Sequence, residues 1–210
     1  MSRIYRVACL SVLALVAGAV PASAHHPMGG VTPVTFLQGL LSGFGHPVLG
    51  LDHLAALVVV GLLASRAGRG WWLLPSLWIA AMGLGVFAHL GAIGLPGAEF
   101  LVAGSLVAIA LIGVFAPRLP LAVIGTVFAA GGFSHGHALA ESVVGAEPMP
   151  MVAYLIGLVI VQTAIATAVT LVARRLFPLA ADAPPAFRAA AGAMGAVGLV
   201  FLVIAARGLA

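Results

Sequence analysis

Lysine is absent from this 210-residue chain, cysteine occurs once (Cys9), and charged residues of any kind make up only 7%. A soluble domain carries about 25% charged residues, so the few present here cannot cover a water-facing surface. Hydrophobic residues reach 63% and the mean hydropathy is +1.23; lipid is therefore the expected solvent for most of the chain. The net positive charge comes from arginines in short gaps between apolar runs, with no basic cluster and no aromatic–basic interleaving, which excludes nucleic acid as a partner. The motifs G-x-x-x-x-G-K-[ST], H-E-x-x-H and G-x-S-x-G are also missing. Their absence removes P-loop ATP hydrolysis, a membrane zinc protease and a nucleophile-elbow hydrolase. No catalytic residue is expected, and the chain does not read as an enzyme.

What is present begins with a targeting pattern. "MSRIYR" supplies a positive start, "VACLSVLALVAGAV" an apolar core and "PASA" an A-x-A site, so residues 1–24 are expected to form a cleaved signal peptide. Cleavage after Ala24 removes Cys9, and with it disulfides, thiolate zinc sites and cysteine nucleophiles. It also leaves His25 and His26 at a new N-terminus. There the α-amine and imidazole of His25 can chelate a metal with help from His26; a solvated terminus is the plain alternative.

Residues 25–210 read as a single transmembrane domain. The apolar runs must be helices, because an isolated strand cannot satisfy its backbone in lipid, and a span needs about 20 residues. Six spans are expected: 34–65, 71–91, 98–116, 119–144, 151–173 and 187–206. The fold class is all-α, a polytopic membrane helix bundle of about six transmembrane helices. The first run is too long for one crossing and is interrupted by "GFGHPVLG". A re-entrant or interfacial piece over 35–41, a break around 43–50 and a helix from near Leu51 are expected, since backbone breaks at membrane depth line cavities or lie buried in protein.

Arg66, Arg69, Arg118, Arg174, Arg175 and Arg188 fall in alternate gaps, and Glu99 and Glu147 in the others; only Arg207 is out of place. The positive-inside rule puts those arginines in the cytoplasm and the mature N-terminus outside, as the signal peptide also requires. All seven histidines then fall toward the outer side. His25 and His26 precede the first span. His46 and His53 stand with Asp52 at its outer end, His89 ends the second, and His135 and His137 lie with Glu141 in the outer half of the fourth.

Ionisable residues inside a span cost roughly 2.5–3.5 kcal/mol each, so this gathering marks a pathway or a site. Imidazole suits Ni, Zn, Cu and Co, and carboxylates add charge neutralisation. In an unbroken helix His137 and Glu141 share one face with Ser134, while His135 lies about 100° from Ser134, with Gly131, Gly132 and Gly136 able to let the backbone bend it inward. Asp52 either ligates or orients an imidazole. Met28, Met82, Met149 and Met151 are scattered and are expected to pack. Trp71, Trp72 and Trp78 are expected to form an aromatic belt at the inner interface. The glycine- and alanine-rich helices permit close packing and a homo-oligomer.

"HPVLGLDH", an H-x5-D-H pattern, and "GGFSHGHALAE", a His-Gly-rich motif ending in glutamate, together with the signal peptide and six spans, resemble the HupE/UreJ family of hydrogenase and urease accessory proteins. The second motif departs from the family's frequent H-G-x-x-H-G-x-E run, with Leu139 near where a histidine is expected. The resemblance covers nearly the whole mature chain. It implies a multi-pass permease of the bacterial inner membrane that takes up Ni²⁺ or Co²⁺ for metalloenzyme maturation and holds no permanent cofactor. By motif it makes His46, Asp52 and His53 one metal-handling group, and His135, His137 and Glu141 a second. His25, His26 and His89 join them by topology alone. The implied partners are membrane lipid and a divalent metal ion. Three other readings stay open: a metal-binding membrane subunit energised by separate proteins, a b-type haem membrane protein, and a metal sensor or chaperone that does not transport.

Overall fold

A computed structural model describes residues 31–179 and 182–208. The expected signal peptide, His25, His26 and Met28 lie outside the described residues. Seven α-helices follow one another, with no strand among the described residues: α1 (Phe36–Leu49), α2 (Leu51–Ser65), α3 (Leu73–Leu90), α4 (Ala98–Phe115), α5 (Leu121–Leu139), α6 (Pro148–Leu176) and α7 (Pro185–Ala206). Short 3-10 turns occupy Gly68–Gly70 and Ala140–Val143. Local chemistry explains several boundaries. Thr35 and Gln38 form a reciprocal capping box at the start of α1. Prolines open α6 and α7, at a position where the missing N–H has no intrahelical partner to lose.

Four segments are long and apolar enough to cross a membrane unaided: Gly68–Leu90, Ala98–Phe115, Pro148–Leu176 and Pro185–Ala206. Helices α1 and α2 together make a fifth, bent by 76°. The chain is thus a multi-pass membrane protein, with four or five spans by this measure where the sequence suggested six. The difference lies in α5. It has 19 residues, but Ser134, His135, His137 and its glycines dilute its apolar character.

The interruption in the first span is narrower than expected. Helix α1 continues through Gly43, Gly45 and Pro47 and replaces the short 35–41 piece; Gly50 alone breaks the path, in an extended conformation. Pro47 removes a backbone donor in the last turn of α1, loosening the helix just before the bend. Gly43 serves packing instead, because the Tyr154 carbonyl of α6 occupies the space a Cβ would need.

Helix α2 runs through the middle of the bundle. It packs against α1, α3, α4, α6 and α7, and 12 of its 15 residues are buried, as an all-round apolar helix requires. Around it, three helix pairs close on small residues. Gly39 and Gly43 seat α1 on carbonyls of α6, Gly85 and Gly136 bring α3 and α5 backbone to backbone, and across α4 and α7 Gly113 meets Ala191 while Gly195 meets Ala110. Lipid tails solvate leucine as well as a protein core does, so close van der Waals contact is what binds such helices. The exposure pattern matches that solvent: Leu84, Phe87, Phe115 and Leu176 face outward, whereas His46, Asp52, His53, His135, His137, Gln162 and Thr170 are buried.

Charge divides the bundle into two ends. Arg66, Arg174 and Arg188 donate to the carbonyls of Pro178, Gly68 and Val114 at the arginine end, satisfying backbone acceptors at chain turns. All described histidines lie toward the opposite, histidine end. Trp72 is exposed, as a belt residue would be, but Trp78 is 1% exposed. It packs edge-on to Phe128 and against the His135 ring, because α3 turns that face to α5.

Candidate metal centre

Gly50 positions the first polar group. With no side chain it lets the His53 ring fold back over the bend; a Cβ at position 50 would come within 2.7 Å of His53 Cδ2. Asp52, in the first turn of α2, accepts a hydrogen bond from the His53 backbone N–H at 2.9 Å. Its carboxylate thereby satisfies an end donor and offsets the positive end of the helix dipole beside His53. Both side chains are buried.

His53 reaches across to α5. Its Nδ1 lies 2.8 Å from His135 Nδ1, with the two rings edge-to-face at 4.8 Å. One proton must sit between those nitrogens, since two lone pairs repel at that distance. Trp78 covers the His135 ring at 5.0 Å, Asp52 acts on it electrostatically and the Val102 backbone lies near it. His135 Nε2 is buried and makes no hydrogen bond among the described residues.

A second pair forms beside it. His89 Nδ1 stands 3.2 Å from His137 Nδ1, with ring centroids 4.4 Å apart. His137 Nε2 pairs with the Ile93 carbonyl at 2.9 Å. A helix ending places that carbonyl. The Ile93 N–H bonds back to Ala88 and the Ala92 N–H to His89, which is the Schellman arrangement. Its left-handed position is filled by Ala92, at φ 59, where glycine is usual; the Cβ costs about 1–2 kcal/mol. Both α3 and α5 end here, so two negative dipole ends converge on this pair.

His46 belongs to neither pair. Its Nδ1 contacts Ser142 Oγ at 3.1 Å and the Tyr154 hydroxyl at 3.0 Å, and its ring lies edge-on to His53 at 5.9 Å. Glu141 stands apart. Helix α5 ends at Leu139 and tightens into the 3-10 turn, so the expected i, i+4 register with His137 is lost and Glu141 is exposed. Among the described residues, no three His, Cys, Asp or Glu side chains form a group able to hold one ion as they stand. The structure thus brings together His46, Asp52, His53 and His135, and separately His89 and His137. Sequence reasoning missed Ser142, Tyr154 and the contact of Trp78 with His135. A tyrosine buried in an apolar helix needs a hydrogen-bond partner, which was the available signal for Tyr154.

Residues 13–201 match the HupE / UreJ protein family. "Protein HupE" from Rhizobium leguminosarum bv. viciae is 33% identical over 124 residues, 59% of this chain and 62% of that protein; the match spans less than two thirds of that relative's length. No solved structure matches this chain.

Proposed function

The chain belongs to the HupE / UreJ family, and from that premise and its histidine pairs we propose that it is a permease for Ni²⁺, with Co²⁺ as the alternative cargo. The observation that carries the reading is the spacing of the paired nitrogens. Imidazole nitrogens bind a first-row divalent ion at about 2.0–2.1 Å, so two of them at right angles or slightly wider stand about 2.9–3.2 Å apart. The pairs measure 2.8 and 3.2 Å. An ion that displaces the shared proton meets two ligands already at neighbouring coordination positions. Water supplies the remaining positions, and Asp52 or the Ile93 carbonyl supplies negative potential. Pairs rather than closed cages suit a transported ion, which must bind well enough to enter and weakly enough to leave.

In this reading the histidine end faces outside the inner membrane, the signal peptide is removed, and His25 and His26 raise the local metal concentration. A membrane potential supplies about 2.3 kcal/mol per charge per 100 mV, which draws a divalent cation inward. Separate energising subunits are an alternative arrangement of the same chemistry. Haem ligation fits less well: axial nitrogens lie on opposite sides of the iron, about 4 Å apart at such bond lengths, and neither pair leaves room for a macrocycle between them.

The test is uptake by proteoliposomes containing the full chain, at trace metal, comparing Ni²⁺, Co²⁺, Zn²⁺ and Cu²⁺. Accumulation of Ni²⁺ or Co²⁺ above empty vesicles is expected. Stoichiometric binding with no accumulation would make the chain a sensor or chaperone, and a Soret band would make it a haem protein.

A further inference from the structure

At the arginine end, the end of α2 and the turn between α4 and α5 enclose a cavity of about 350 Å³. Arg66 and Arg118 line it beside Leu63, Pro117, Leu121 and Ile124. Two guanidiniums thus share one pocket with an apolar wall. The surroundings hold little negative charge. Six arginines (Arg66, Arg69, Arg118, Arg174, Arg175 and Arg188) lie at this end, and Asp182 is the one acid in the adjoining loops among the described residues. Burial, and secondarily Arg118, hold the Arg66 guanidinium below its ordinary pKa, with Asp182 opposing them.

We propose that this pocket binds an anionic phosphate group, held between Arg66 and Arg118. Guanidinium presents a planar fork that matches phosphate oxygens, and its bonds to phosphate are charge-assisted. Basic pockets between membrane helices commonly take lipid headgroups. The apolar wall gives an acyl chain somewhere to lie: Leu119 and Leu121 are 36% and 40% exposed beside the two arginines. Arg66 follows directly on α2, the central helix that carries Asp52 and His53 at its other end. A bound anion would therefore relieve the repulsion between Arg66 and Arg118 and pin the arginine end of that helix. This inference does not depend on the metal reading.

The full chain, purified in mild detergent, is examined by native mass spectrometry and thermal melting with phosphatidylglycerol, phosphatidylcholine or inorganic phosphate. Phosphatidylglycerol is expected to stay bound as a discrete adduct and to raise the melting temperature by a few degrees, with phosphatidylcholine doing neither. Arg118→Gln should lose adduct and shift together; Arg118 is exposed, so the fold should survive the change. Arg175→Gln, at the same end but outside the pocket, should keep both. An Arg118-dependent shift from inorganic phosphate that also displaces the lipid would assign the pocket to free phosphate, preserving its chemistry. Equal lipid retention by wild type, Arg118→Gln and Arg175→Gln would reduce the effect to general surface charge and overturn the proposal. Absence of any adduct or shift would overturn it as well.

Discussion

The two histidine pairs use the same atoms at similar separations, yet their surroundings differ. His53 and His135 are buried beneath Trp78, at the positive end of α2, and the carboxylate of Asp52 supplies their negative potential. His89 is only half-buried, and its pair draws on two helix C-termini and the Ile93 carbonyl. A formal charge serves the enclosed pair; backbone dipoles serve the open one. The difference teaches that the same nitrogen spacing can be set in two surroundings, one enclosed beside a carboxylate and the other more open beside backbone dipoles.

The sharpest way to break this comparison is to delete one member of each pair and measure uptake of trace nickel in proteoliposomes, at matched protein abundance. His53→Ala is expected to cost more than the ~10–100-fold typical of losing an outer-shell partner. His89→Ala should cost about tenfold, toward the lower end of that range. Equal losses would erase the distinction between the pairs.

Asp52→Asn keeps the shape and removes the charge. It should fall between those two variants, at roughly 10–100-fold, and should leave metal binding at His89 and His137 intact when read in a His53→Ala background. An Asp52→Asn protein with wild-type uptake would show that the enclosed pair needs no carboxylate. Glu141→Gln tests the other carboxylate picked out by sequence. Its exposed position predicts a change within about fivefold, the ~1 kcal/mol scale of a solvated charge; near-complete loss of uptake would return Glu141 to the site. The smallest effect belongs to Ala92→Gly, which removes the left-handed Cβ penalty. Its thermal unfolding should show a gain of up to about 1 kcal/mol, and a clear loss of stability would mean that Ala92 is held there by packing rather than tolerated.

Much of this was legible in the residues, and the reasons are particular. The end of the bundle on which each histidine stands follows from counting crossings, so the sequence alone puts His46, His53, His89, His135 and His137 at one end. Which histidine meets which depends on the rotation of each helix, and apolar helices that are buried all round carry no amphipathic signal for it. Helix geometry alone sets His135 off the Ser134 stripe and the neighbouring glycines leave its direction open; the rotation of α5 turns it to His53. Glu141 stands off from His137 for a local reason: the i, i+4 rule assumes a helix that α5 does not continue past Leu139. Trp78 near the expected interface looked like a belt residue because sequence distance cannot register that α3 presses this face against α5. Gly50 was one of four candidate break points in "GFGHPVLG", and only packing against α6 shows that Gly43 has another task.

Gly136 lies between His135 and His137, pressed against the Met82 carbonyl of α3. The two histidines leave α5 about 200° apart around its axis, one toward α2 and the other toward α3. A sideways displacement of α5 toward α2 would press His135 on His53 and draw His137 from His89, and a displacement toward α3 would do the reverse. One helix thus holds a member of each pair, and the seat of Gly136 on the Met82 carbonyl fixes how far it stands from α3.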